Sequence, residues 1–434
     1  MPKARRTHLV PWIPLLLVGW AVAFSTVRAG VIEREIDLGE GIGLPVTVLA
    51  AQEPRGLLIW LPSERGVRSG MTSVAAQIAA RTGYEVWVAD PFTGWLLPAS
   101  VASLGEIPAS ALARVVDHAL SEHETVFLMA HDRGSGLALR TARAWQAGHP
   151  GDRGLHGLVL LTPNLFQHTP RVGKDGVFEP VARSTNLPVF VMQPALSPTA
   201  LRLSEISETL GIGGARVYQR LLPAVRDRFF FRPDATADER ALAETLPELV
   251  GQALALLATE SLPDSPATEV AVEAEDQAAD ERQQLTVYRG TNADDPPPLV
   301  LKDLAGKTRD LESLRGQVVL LNFWASWCPP CLHEMPSMQR IHDRYQPQGF
   351  TVAAVNLGEA PERIQPFLDD LKIDFPVWLD PENVSARSWQ VFAYPTSFLL
   401  DRAGHIRYAI AGGIDWETPE ATARIEELLS ESTP

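Results

Sequence analysis

Two cysteines occur in 434 residues, and they stand together as Cys328-Pro329-Pro330-Cys331. They directly follow Val318-Val319-Leu320-Leu321-Asn322-Phe323-Trp324, an apolar run of the kind that forms a strand buried on both faces. With no other cysteine to staple a fold, each domain of the chain must bury a core of its own. A buried strand that delivers Cys-X-X-Cys to the start of a helix places a thiol at the positive end of the helix dipole. There a thiolate is stabilised and can exchange with a disulfide. A structural zinc site would need about four ligands. Neither a second cysteine pair nor histidines at metal-ligand spacing accompany this one, so no metal is expected.

The length suits two domains and a tether, and a hydrophobic share of 45% with 21% charged residues is that of a folded chain. A formal charge of -15 argues against nucleic acid as a partner, because the phosphate backbone would be repelled and no basic patch is set apart. At the N-terminus, Lys3 to Arg6 is basic and Leu9 to Phe24 is apolar. That apolar stretch falls short of the roughly 20 residues of a spanning helix, and Pro11 and Pro14 interrupt it. Residues 1–29 therefore predict a signal peptide cleaved after Val27-Arg28-Ala29, or alternatively an N-terminal anchor. Either places the rest of the chain outside the cytosol, in the periplasm or beyond.

From Glu260 to Gln284 the composition turns to Glu, Asp, Ala and Pro without an aromatic residue, which cannot support a core. Residues 259–295 are read as an acidic flexible linker, dividing an N-terminal domain over 30–258 from a C-terminal one over 296–434. In the first, Leu57 to Leu61, Glu85 to Val88, Thr125 to Met129, Leu158 to Leu161 and Pro188 to Met192 read as buried parallel strands. Between them Met71, Val74, Ala75, Ile78 and Ala79 recur at helical spacing with Gly83 as a stop, as do Leu112, Val115, Val116, Ala119 and Leu120. The alternation predicts a doubly wound α/β sheet. The C-terminal domain reads βαβαββα: an entry strand near Leu299 to Leu304, the strand before the cysteines, and a helix with Leu332, Met335, Met338, Ile341 and Tyr345. Then come a strand Phe350 to Val355, a helix Pro361 to Leu371, a closing pair near Thr396 to Leu400 and His405 to Ala409, and a last helix Pro419 to Leu429.

The segment Leu321-Asn322-Phe323-Trp324-Ala325-Ser326-Trp327-Cys328-Pro329-Pro330-Cys331 resembles the active site of thioredoxin-like reductases. Pro336 stands where that family kinks its active-site helix, Tyr394-Pro395-Thr396 resembles its cis-proline loop, and Asp401-Arg402-Ala403-Gly404 its hairpin turn. With Glu334 three residues after Cys331 and Val355-Asn356-Leu357-Gly358-Glu359 before an extra helix, the chain is most similar to the exported TlpA/ResA-type reductases. The resemblance implies a thioredoxin-like domain that reduces disulfides of partner proteins with a redox-active Cys328-Cys331 disulfide and no other cofactor. It further implies apocytochrome c as a substrate class and a membrane thiol-disulfide donor of electrons.

On the residues, Cys328 is expected to be the more exposed thiol and the attacking one, with Cys331 resolving. Pro329 and Pro330 restrict the first helical turn without sacrificing a needed N–H, and a cis Pro395 would close its loop on the pair. Thioredoxins proper carry a buried Asp where this chain has Asn322, which cannot titrate. Glu334, one turn beyond Cys331, is the candidate to move protons in its place. Trp324 and Trp327 are expected to pack around the site, and His333 to be solvated.

In the N-terminal domain, the strand Thr125 to Met129 runs into Ala130-His131-Asp132-Arg133-Gly134-Ser135-Gly136 and then a helical stretch, the setting of an α/β-hydrolase nucleophile elbow. Asp132 takes the nucleophile's place, as in dehalogenases and epoxide hydrolases. Yet no histidine follows His168 within this domain, and Leu61-Pro62-Ser63-Glu64-Arg65-Gly66 puts a glutamate where an oxyanion would need donors. A hydrolase-like scaffold without hydrolase activity is expected. The alternatives are an active hydrolase using Asp132, with His118 or His123 as a base from elsewhere, and a scaffold protein with a vestigial redox pair.

Overall fold

The computed structural model describes residues 31–269 and 284–431, and the expected signal or anchor segment lies outside them. The first sheet has eight strands: β1 (Val31–Asp37), β2 (Gly43–Leu49), β3 (Leu57–Leu61), β4 (Glu85–Ala89), β5 (Val126–His131), β6 (Leu155–Leu161), β7 (Val189–Leu196) and β8 (Val217–Arg226). Their order is β1-β2-β4-β3-β5-β6-β7-β8. The six strands from β3 to β8 run parallel, and β2 pairs antiparallel with both β1 and β4. All five residues of β3 are buried, because alternate side chains enter different cores. Leu57, Ile59 and Leu61 face one layer, with Val115, Leu137 and Ile206. Leu58 and Trp60 face the other, with Met71, Ile78, Val250 and Leu254. This is the doubly wound arrangement that the alternating pattern predicts.

The helix expected before Gly83 runs Ser69–Thr82 and stops where Gly83 turns left-handed at φ 75. The run from Leu112 to Leu120 is divided instead into Ala109–Leu112 and Arg114–Glu122. The long helix Ala237–Leu257 carries a capping box, Thr236 with Glu239.

The second sheet contains β9 (Thr286–Val287), β10 (Val300–Asp303), β11 (Thr308–Asp310), β12 (Val318–Trp324), β13 (Phe350–Leu357), β14 (Val377–Asp380), β15 (Thr396–Leu400) and β16 (Ile406–Ala411). Their order is β11-β10-β14-β13-β12-β15-β16-β9. The strand before the cysteines, β12, is central, parallel to β13 and antiparallel to β15. The sheet extends the expected βαβαββα order with β9, β11 and β14, each of two to four residues and too short to show a period. Asp401 closes the hairpin as expected, its Oδ1 accepting from Ala403 N at 2.9 Å and His405 N at 3.0 Å.

The described ends of the segment read as a linker over 259–295 make contacts with the domains on either side. Glu260 pairs with Arg216 at 2.7 Å, Asp264 with Arg153 at 2.8 Å, and the Ala267 carbonyl accepts from Arg143 at 2.6 Å, all on the first domain. On the far side Thr286–Val287 pairs with β16, Tyr288 is buried, and the Ala293 carbonyl accepts from Ile406 N. Polar residues of low core-forming power still order when a neighbouring surface supplies partners. The two domains also touch directly: Phe166 packs edge-on to Phe392 at 5.7 Å, the Arg202 guanidinium lies 4.2 Å over the same ring, and Gln390 donates to Asp175 at 2.6 Å.

Candidate active site

The strand β12 ends at Trp324, the loop Ala325–Trp327 follows, and the helix Pro329–Tyr345 begins with Cys328 as its N-cap. Cys328 and Cys331 form a disulfide, and Cys328 Sγ accepts from the Cys331 amide at 3.3 Å. Both are buried, with Cys328 retaining 5% exposure and Cys331 none. Pro329 and Pro330 are exposed in the first turn, His333 is exposed, and Pro336 lies inside the helix. The Tyr394-Pro395 peptide is cis, and the Tyr394 ring lies 5.5 Å from that of Trp327. Trp324 is fully buried in the apolar cluster that holds both cysteines, and the half-buried Trp327 packs against it.

Glu334 is buried beneath this turn. Its Oε1 accepts from Asn322 Nδ2 at 2.7 Å, and its Oε2 from Trp416 Nε1 at 3.2 Å and Ile414 N at 3.3 Å. Burial pushes its carboxyl up to about 8, against the three hydrogen bonds that favour the anion. Asn322 Nδ2 also donates to Ser397 at 2.8 Å, while Asn322 Oδ1 has no partner among the described residues. Turning that amide would present Oδ1 to a protonated Glu334, so the pair can accommodate both protonation states. Asn322 thus stands beside Glu334 as a neutral partner. Trp416, Ile414 and Ser397 were not legible as members of the site, because each comes from a distant loop or strand.

A second buried carboxylate fixes the loop ahead of the cysteines. Glu359 accepts from Ser326 N at 2.7 Å, Ser326 Oγ at 2.6 Å and Asn356 Nδ2 at 2.9 Å, and pairs with Arg363 at 3.3 Å. The sequence marks Glu359 only through its place before the helix Pro361–Leu371.

Asp132 lies elsewhere, after β5, in a left-handed turn with φ 50 that leads into the helix Gly134–Gly148. It borders a cavity of about 150 Å³ with Glu64, Arg65, Arg133, Thr162, Asn164, Thr199, Asp227 and Arg228. Burial raises its carboxyl to about 7, opposed chiefly by Arg228 at 3.6 Å. Among the described residues no histidine lines this cavity. His118 bonds to the Asp37 carbonyl at 2.9 Å and His123 to Glu85 at 3.4 Å. His131 packs against Trp60, Phe230 and Phe231, with burial lowering its pKa to about 3.

A central strand feeding a dithiol-disulfide at a helix start, with a second sheet strand and a cis-proline loop beside it, defines the class of thiol-disulfide oxidoreductases on a thioredoxin-like fold. Comparison with known proteins agrees. Residues 293–409 match the AhpC/TSA family. The thiol-disulfide oxidoreductase ResA of Geobacillus thermodenitrificans (strain NG80-2) is 38% identical over 116 residues, 27% of this chain and 67% of that protein. The ResA of Bacillus cereus (strain ZK / E33L) is 32% identical over 158 residues, 35% of this chain and 88% of that protein. A solved structure of a putative thiol:disulfide interchange protein DsbE from Chlorobium tepidum is 34% identical, covering 31% of this chain and 94% of that one at a TM-score of 0.30. Through its C-terminal region the chain belongs to the ResA family of thiol-disulfide oxidoreductases. Among the described residues no helix is long and apolar enough to cross a membrane.

Proposed function

We propose that the protein is an exported reductase of protein disulfides in which Cys328 attacks, Cys331 resolves and Glu334 handles the proton. In the reduced state the Cys328 thiolate attacks one sulfur of a partner's disulfide. That bond breaks, and the leaving thiolate takes a proton. Cys331 then gives up its proton toward Glu334 and attacks Cys328, releasing the second thiolate and leaving the Cys328-Cys331 disulfide. Two electrons have passed to the partner, and a thiol donor at the membrane restores the dithiol. The observation that carries this reading is Glu334: a buried carboxyl one turn beyond Cys331, held near pH 8, where it can both take and give a proton near neutral pH. The ResA likeness, together with the N-terminal basic and apolar segment, supports export. It also supports a role in cytochrome c maturation, with apocytochrome c cysteines among the substrates.

Direction is tested by the midpoint potential of the pair at pH 7. A value near the roughly -270 mV of thioredoxin supports a reductant, and one near the roughly -120 mV of strong oxidases overturns it.

The N-terminal domain is read as a hydrolase-like scaffold without hydrolase activity. The left-handed turn at Asp132 between strand and helix supports the scaffold, and a cavity lined by arginines and carboxylates, with no histidine among its described lining residues, supports the lack of turnover. Turnover of esters, epoxides or haloacids by the full chain, lost in Asp132→Ala, would overturn this.

A further inference from the structure

The carboxyl-terminal ends of β5, β6, β7 and β8 form the edge at which open α/β sheets take ligands. In this molecule the β7 and β8 ends of that edge look onto the redox turn. Leu196 ends β7 and Arg226 ends β8, and together with Ala224, Asp234, Thr236, Asp238 and Glu239 they form one wall of a cleft of about 310 Å³. The other wall is Ser326, Trp327, Pro329 and Leu332, which bracket Cys328, with Arg363 and Phe367 from the next helix. Such a volume lies at the lower end of ligand sites, roughly 300 to 1,000 Å³. Phe367 is 37% exposed on its rim.

We propose that the N-terminal domain is the second wall of the substrate cleft, taking an extended segment of the substrate protein that is apolar beside its cysteine and basic one or two residues away. The proposal rests on the disulfide-reductase reading of Cys328. The apolar requirement comes from Leu196, Trp327, Leu332 and Phe367. The basic requirement comes from the charges. Arg226 is consumed by Glu239 at 2.6 and 2.7 Å and by Asp234 at 3.0 Å, and Arg363 by Glu359 at 3.3 Å. Asp238 is exposed on this wall and adds a carboxylate that neither arginine pairs with, so the charge the cleft offers an incoming segment is negative. On this reading a partner segment threads between both walls to reach Cys328.

The test uses the full chain with Cys331→Ser and synthetic peptides bearing one disulfide, a photo-crosslinking side chain two residues from the cysteine, and either Lys or Glu beside it. Trapped as a mixed disulfide and irradiated, the peptide is expected to label residues 226–239 as well as 326–367. With Cys331 intact, the Lys peptide is expected to be reduced with a kcat/KM about threefold above the Glu peptide, the size of a partly exposed ion pair. That preference should vanish in Asp238→Lys. Label confined to 326–367, an unchanged preference in Asp238→Lys, or cross-links between two copies of the chain across this cleft without peptide would overturn the proposal. No mixed disulfide with either peptide would instead overturn the reductase reading beneath it.

Discussion

The molecule contains the same local device twice. After β12 and after β5, a buried strand ends in a tight turn that opens a helix, and each is accompanied by a carboxyl with a raised pKa: Glu334, buried within the helix after β12, about 8, and Asp132, half-buried in the turn after β5, about 7. The difference lies in the company each carboxyl keeps. Glu334 has three hydrogen-bond donors and a reactive sulfur pair one turn away. Asp132 has an Oδ2 without a hydrogen bond, an arginine at 3.6 Å and no histidine among the described residues of its cavity. A strand-turn-helix supplies a place for chemistry. The neighbouring groups decide whether any occurs.

Breaking the comparison at its strongest point means removing the sulfur. Cys328→Ser should cut insulin reduction by at least about a thousandfold, since the nucleophile itself is lost. Next is the proton. Glu334→Gln should slow reduction by about ten- to a hundredfold and remove the limb of the rate profile near pH 8, read from kcat/KM between pH 6 and 10. The same variant has a stability signature of fixed sign. The folded pKa lies above the ordinary carboxyl value, so the parent loses stability as pH rises from about 4.5 to about 8, as its buried group ionises. The Gln variant should not, and above pH 8 it should exceed the parent by on the order of a few kcal/mol in urea unfolding.

A smaller effect is expected at Glu359. Glu359→Ala leaves the Ser326 N–H and hydroxyl and the Asn356 amide without their acceptor, and should lower stability by about 1–3 kcal/mol. Reduction should slow with it, because the loop that aims Cys328 is loosened. Smallest for the redox reaction is Asp132→Asn, which should leave insulin reduction unchanged. Asn accepts the left-handed turn, and with the folded pKa raised from 3.8 to about 7 the variant should be the more stable one at pH 8. Glu334→Gln and Asp132→Asn thus share a stability signature and part on rate. If both slowed reduction equally, the contrast between the two turns would fail.

Much of this was legible in the sequence because it is carried by short, contiguous patterns. The all-buried strand β12, the adjacent Cys328 and Cys331, the Gly83 stop and the Asp401 hairpin each depend on neighbours in the chain. What escaped depends on distance. The β1–β2 hairpin, β8 and the short strands β9, β11 and β14 owe their form to pairing partners, and β9 lies in what composition marks as linker. Trp416 reaches Glu334 across 82 positions, and nothing in Asp415-Trp416-Glu417 announces that its indole N–H completes a buried carboxyl's shell. The cleft wall from Leu196 to Glu239 is equally silent, since it exists only where one domain faces the other.

The central claim is that Cys328 is the attacking sulfur and Cys331 the resolving one. Mass spectrometry of the reduced Cys331→Ser chain mixed with a disulfide-bonded peptide tests it most directly, with Cys328→Ser as the counterpart. The account predicts a stable one-to-one adduct on Cys328 in the first and none in the second. An adduct on Cys331 in the second, or none in either, would contradict it.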